Sequence, residues 1–257
     1  MQRYNFFAKF YAYFFFYFKK YYYFCDMNKK IMIKKILSVY GVTYLLLLTL
    51  VMVLQFAYPK LELHMLLNAH HNSIQDAFFT YYTQLAEWPL YVLALLPLLW
   101  KKVYITGFFA LCELTGGAIL QILKHTINME RPICAFENCQ TMVLPLVDGI
   151  NMHHSNSFPS GHASTFFVFC TCCALLLSYH WKLHEQSRKT WILFNASLLV
   201  LLILATLGAY SRIYLSQHFL SDVCMGSIIG FTTPCLMFYL VGNKFFKSKP
   251  KEEKLNK

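Results

Sequence analysis

The chain has 257 residues, of which 57% are hydrophobic, 18% aromatic and only 14% charged, yet its formal net charge is +11. An ordinary soluble domain carries about 25% charged residues, so these averages argue against a disordered tail, a coiled coil or a nucleic-acid-binding arm. A chain both apolar and basic either holds an anionic polymer or lies in a membrane with its cations at the edge.

Residues 1–24 are mostly Phe and Tyr broken by Lys. Phe10–Phe24 is interrupted by Lys19 and Lys20, and no small-residue cleavage site follows it, so it is not a good signal peptide. Met27 and Met32 are alternative starts. Residues 1–35 are therefore either a cytoplasmic or interfacial N-terminal segment or an over-extended start.

A bilayer core about 30 Å thick takes about 20 apolar residues of helix. Such stretches run from about Ile36 to Tyr58, Val103 to Leu123, Ala163 to Tyr179, Trp191 to Tyr210 and Phe219 to Val241. A shorter one, about Trp88 to Trp100, reaches spanning length only if it starts nearer Ala77. The expected fold is all-α: a polytopic bundle of six transmembrane helices over residues 36–243, with a basic tail at 244–257. Six spans put both termini on one side. Nineteen of the 23 Lys and Arg residues fall on that side, which is then cytoplasmic by the positive-inside rule. The charge is mostly a topology signal, and nucleic-acid binding is the weaker reading. Lys60, Lys124, Arg131 and Arg212 remain on the outer side.

Between the first two spans, residues 60–87 read as short amphipathic pieces on the outer surface. His64, His70 and His71 lie there; surface histidines are a better reading than a metal site. The long outer loop His125–Pro159 contains Pro132, Pro145 and Gly149, so turns order it. Cys134 and Cys139 face outward together and are either a disulfide or two free thiols. Cys170, Cys172 and Cys173 read as packing residues within a helix. Glu113, eleven residues before Lys124 and on its helix face, reads as a hydrogen-bonded or protonated packing residue.

Three outer segments carry polar residues that a membrane reading leaves unexplained. They are Lys124 with Arg131-Pro132, then Pro159-Ser160-Gly161-His162, then Ser211-Arg212 with His218 and Asp222. All three end on the same membrane face. Three cations converging there suit an anion with several oxygens, and phosphate is the natural match. Gly161 lets the backbone approach closely, and free N–H groups at a helix start bind anions. If the last span starts near His218, Asp222 at i+4 shares its face and fixes its tautomer, which favours His218 as nucleophile. His162 better suits the general acid.

These segments resemble the signature of the type 2 phosphatidic acid phosphatase superfamily: K-x6-R-P, P-S-G-H and S-R-x5-H-x3-D, with every position filled. The resemblance runs from about Leu61 to Gly230. It implies a phosphohistidine on His218 supported by Asp222, a leaving-group proton from His162, and phosphate held by Lys124, Arg131, Ser160, Gly161 and Arg212. It implies no metal and no cofactor. Vanadate-dependent haloperoxidases and sugar phosphatases share the motif set, but the former are soluble and the latter usually carry more spans. Val147–Phe158 looks like the loop of bacterial membrane members, which implies a bacterial inner-membrane protein with its active site outside. His153 and His154 either line the entrance or are solvated.

The expected function is hydrolysis of a lipid phosphate or diphosphate, the partners being a phosphorylated lipid and the bilayer. A transporter or channel with a basic anion site is the alternative from another class, and a catalytically dead lipid-binding relative is the third. Oligomeric state is not written in the sequence.

Overall fold

The computed structural model describes residues 37–87, 91–92, 95–96, 103–139, 142–182 and 187–245. Within them the elements are helical. A π-helical turn, Leu37–Gly41, leads into α1 (Val42–Ala57). Then follow α2 (Lys60–Leu67), α3 (Ser73–Gln84), α4 (Val103–Ile127), the short α5 (Pro132–Glu137), α6 (Gly161–Lys182), α7 (Arg188–Tyr214) and α8 (Leu220–Phe245).

Among the described residues five helices are long and apolar enough to cross a bilayer, and the chain is an integral membrane protein. Their positions agree with five of the six expected spans. The sixth, about Trp88 to Trp100, falls mostly outside the described residues. Of it, Tyr91 and Leu95 are described and bury against the bundle. The aromatic N-terminal segment, Cys25 and the basic tail beyond Phe245 also lie outside the described residues.

Each spanning helix shows two faces at the 3.6-residue period. On α1 and the turn before it, Tyr40, Tyr44 and Leu48 are buried, while Leu46, Leu50 and Val53 are exposed to lipid. On α7, Leu198, Leu202, Ala205 and Ala209 face inward and Leu193, Val200 and Ile203 outward. Helix α6 lies at the centre, packed against α8, α7 and α4. It reaches α8 closely because Gly226 and Gly230 stand four apart on the facing side. A Cβ at Gly226 would collide with the Ser160 carbonyl oxygen, and one at Gly230 with that of Ser164. Small residues that let backbones approach are a common way to join helices in lipid, where burial of apolar surface gives little drive. Buried polar pairs add to this: the Tyr44 hydroxyl lies 3.0 Å from Ser227 Oγ, and the Tyr40 hydroxyl 3.2 Å from Thr171 Oγ1.

The outer segment forms helices α2 and α3, tied down by a polar network. Asn68 Nδ2 donates to Ser216 Oγ (2.6 Å), the Tyr210 hydroxyl to the Leu67 carbonyl (2.8 Å), and the Tyr214 hydroxyl to Asp76 Oδ1 (2.5 Å). That last bond, with His71 at 3.0 Å, holds the Asp76 carboxyl below its ordinary range. The surface reading of the three histidines holds for His70 and fails for His64. His64 is 1% exposed, wedged between the rings of Phe136 and Phe219. It is buried because its neighbours Leu61 and Met65 on α2 pack against the cluster of Phe136, Leu144 and Phe219. Glu113 behaves as a packing residue: its Oε1 accepts the Thr165 hydroxyl at 2.5 Å. Cys170 and Cys172 are buried in α6, and Cys134 is a free thiol.

Candidate active site

Four helix ends meet at one end of the bundle: the C-termini of α4 and α7 and the N-termini of α6 and α8. Lys124 lies in the last turn of α4. Arg131 is the N-cap of α5, extended at φ −85° and ψ 165° because Pro132 follows it. Ser160 caps α6: its Oγ accepts the Ala163 N–H (3.4 Å) and its carbonyl the Ser164 N–H (3.3 Å).

The last motif wraps the turn between α7 and α8. Arg212 stands two residues inside the end of α7, and its carbonyl accepts the N–H of Gln217 at 2.9 Å. The Ser216 N–H bonds the Ile213 carbonyl at 2.9 Å, and Ser216 adopts a left-handed φ of 52°. This is the Schellman ending, in which glycine is usual. Serine holds it here because its Oγ accepts from Asn68 and donates to the Pro145 carbonyl (3.0 Å). The turn delivers His218 just before α8, not on it. At the third position of α8, Asp222 reaches back so that its Oδ2 accepts the Phe219 N–H at 3.0 Å, one half of a capping box.

All eight expected site residues come together. Lys124 lies within electrostatic range of Arg131, Arg212 and Asp222, and His162 feels the three cations and His218. The Ser160 N–H donates to the Asp222 carbonyl at 3.0 Å, which joins the starts of α6 and α8. Ser160, His218 and Asp222 are buried, and Arg131 and Arg212 are each 8% exposed.

Three details differ from the sequence expectation. First, His218 Nδ1 lies 3.8 Å from Asp222 Oδ2, ion-pair range and longer than a hydrogen bond. The carboxylate is occupied by its own helix start and by Ser157, whose Oγ donates to Oδ2 at 2.5 Å and stands 3.5 Å from His218 Nδ1. Second, Arg131 has no fully free edge for a bidentate grip, because both of its forks, Nε–Nη2 and Nη1–Nη2, have one nitrogen already committed. Its Nε donates to the Ser155 carbonyl (2.9 Å), and its Nη1 to the Gln217 carbonyl (3.1 Å) and Oε1 (3.2 Å). Third, the Ser160 N–H is committed to Asp222, so the open donors at the α6 start are those of Gly161 and His162.

Arg212 is held differently. Its Nη1 donates to Thr83 Oγ1 of α3 at 2.8 Å, and its buried Nε has no acceptor among the described residues. A buried guanidinium donor without a partner is expensive, and an oxyanion at this place would satisfy it. His218 is pushed down to about 4 by burial, with Asp222 opposing and Arg212 and Arg131 reinforcing the shift, so its ring is neutral at neutral pH. His153 is exposed on the loop above; partial burial, then Arg131, Arg212 and Lys124, lower it below its ordinary value. That places His153 within electrostatic range of the cation cluster while exposed to solvent.

Sequence reading missed Ser157, Thr83 and Gln217. Their one signal is adjacency: Ser157 lies three residues before Ser160, and Gln217 stands next to His218. Nothing local marks Thr83.

The sequence model of the PAP2 superfamily matches residues 105–246. Among solved structures, the crystal structure of Aquifex aeolicus LpxE has the same fold, with a TM-score of 0.54 and 23% identity over 70% of this chain and 94% of that one. A search of curated proteins gives no match.

Proposed function

The chain belongs to the PAP2 superfamily, and on that premise we propose that this membrane phosphatase hydrolyses the terminal phosphate or diphosphate of a lipid. The observation that carries the reading is the unpartnered Arg212 Nε, buried beside Lys124, Arg131 and two histidines. That arrangement fits a tetrahedral oxyanion better than it fits a permeating ion, because donors aimed at fixed oxygens stabilise a transferring group.

His218 attacks phosphorus through its ring nitrogen remote from Asp222, and the ester oxygen leaves with a proton from His162. The phosphohistidine imidazolium is stabilised by Asp222. Water, deprotonated by His162, then attacks phosphorus, releases phosphate and restores His218. Arg212, Lys124 and the N–H groups of Gly161 and His162 hold the equatorial oxygens. Arg131 contributes mainly charge and architecture, since it clamps Gln217 and Ser155. Candidate substrates are a polyprenyl diphosphate, phosphatidic acid, phosphatidylglycerophosphate or a phosphorylated lipid A. The positive-inside count supports cytoplasmic termini and an extracytoplasmic site in a bacterial inner membrane.

The test is phosphate release by the purified protein across that lipid panel, with a chelator present. His218→Ala abolishes release while the helical signal and melting behaviour persist. Undiminished turnover by that variant overturns the assignment, and ion flux without phosphate release favours a transporter.

A further inference from the structure

Outside the phosphate cluster, the outer face gathers three side chains that the reaction does not use. Cys134 and Glu137 stand three apart on α5 and so share a face. His154 comes from the loop before α6. The ligand atoms of all three lie within 4.8 Å of one another. Cys134 Sγ is 3.4 Å from His154 Nδ1 and 3.3 Å from the His154 carbonyl oxygen.

These distances are those of a metal bite. Zinc binds thiolate at about 2.3 Å and imidazole at about 2.0 Å, so a tetrahedral centre separates the two ligand atoms by about 3.6 Å. The existing Cys134–His154 separation needs only a small adjustment. A carboxylate supplies the third ligand, and water the fourth, in the open pattern of three protein ligands. A thiolate with an imidazole selects a borderline transition metal over magnesium or calcium, which prefer oxygen.

We propose that Cys134, Glu137 and His154 form a binding site for a zinc-class divalent cation at the outer face. Binding deprotonates the Cys134 thiol, and the proton goes to solvent. The site links two segments that already share Arg131: the His154 carbonyl accepts the Arg131 N–H at 3.4 Å, and the Ser155 carbonyl accepts its Nε. A bound cation therefore ties α5 to the strap that positions Arg131 and Ser157, without touching the reacting phosphate. It fastens the folded state and raises the melting temperature by linkage.

The experiment is a cobalt(II) titration of the full chain, purified without a polyhistidine tag and with its thiols reduced. The expected result is one cobalt per chain, a thiolate-to-cobalt charge-transfer band with tetrahedral ligand-field absorption, and displacement by zinc. Cys134→Ser removes the band, His154→Ala weakens binding at least tenfold, and His70→Ala, an exposed histidine elsewhere, changes neither. Phosphate release by Cys134→Ser at the wild-type rate shows that the variant is folded. The proposal falls if no band forms with the thiol free, if the band survives Cys134→Ser, if His154→Ala leaves the cobalt affinity unchanged, or if Cys134 proves to be disulfide-bonded to Cys139. None of those results touches the phosphatase reading, which is tested through His218.

Discussion

Thr83 gives the sharpest test of how the site is held. It lies in the last turn of α3, 129 residues from Arg212 in sequence, and is 6% exposed. Its hydroxyl accepts the Arg212 Nη1 proton at 2.8 Å and so fixes the plane of the guanidinium. Thr83→Val keeps the shape and removes only the oxygen. A hydrogen bond to a charged group is worth about 1.5–3 kcal/mol. If that loss appears in the transition state, kcat/KM falls roughly 10- to 150-fold. Arg212→Lys keeps the charge and loses the planar fork. Were Thr83 to act only through Arg212, Thr83→Val would add almost nothing in the Arg212→Lys background. Phosphate release from the best lipid of the panel, measured for both single variants and the double, gives the cycle. Wild-type kcat/KM for Thr83→Val, or a full additive loss in the double variant, would refute the reasoning.

Three further outcomes follow from the geometry. Ser157→Ala removes a 2.5 Å donor from the buried Asp222 carboxylate and lowers kcat at least about tenfold with KM little changed, since a bond of this class is worth about 1.5 kcal/mol or more. Gly226→Ala drives a methyl into the Ser160 carbonyl; overpacking of about 1–3 kcal/mol lowers both melting temperature and turnover, whereas Gly117→Ala, with open space around it, is neutral. His64 is pushed to about 4 by burial, with Asp222 opposing and Lys60 reinforcing. The unfolded chain binds that proton below about 6.5, so the stability it contributes is present above that pH and is lost as pH falls toward 4, about 2 kcal/mol by pH 5. Thermal melts at pH 7 and pH 5 read this loss, and His64→Leu narrows the gap between them.

What the sequence made legible was set by local rules. Apolar runs of spanning length found the membrane helices, because a bilayer fixes the length they need. The side-by-side count of cations singled out Lys124, Arg131 and Arg212, which then proved to share one helix-end cluster. The partners of those residues were not legible. Thr83 for Arg212, Gln217 for Arg131 and Ser157 for Asp222 are separated from them by 129, 86 and 65 residues. Which hydroxyl or amide meets which charge is decided by packing, and no periodicity encodes it. His64 was misread for a different reason. Leu63, His64 and Asn68 form the buried stripe of α2 with Leu67 half-buried beside them, so the helical period did place the ring inward. Residue type, taken alone, argued for solvent.

The spacing His-x3-Asp has a simpler cause than two side chains on one helix face. His218 precedes the N-cap Phe219, and Asp222 is the third residue of α8, the position from which a carboxylate closes a capping box. The same residue accepts the Ser157 hydroxyl and, through its carbonyl, the Ser160 N–H. Asp222 thus starts one helix, fastens the start of another and sets the charge beside His218. Its neutral isostere, Asp222→Asn, therefore perturbs structure and chemistry together. Thr83→Val and Ser157→Ala, which leave the capping carboxylate in place, are the substitutions that separate them.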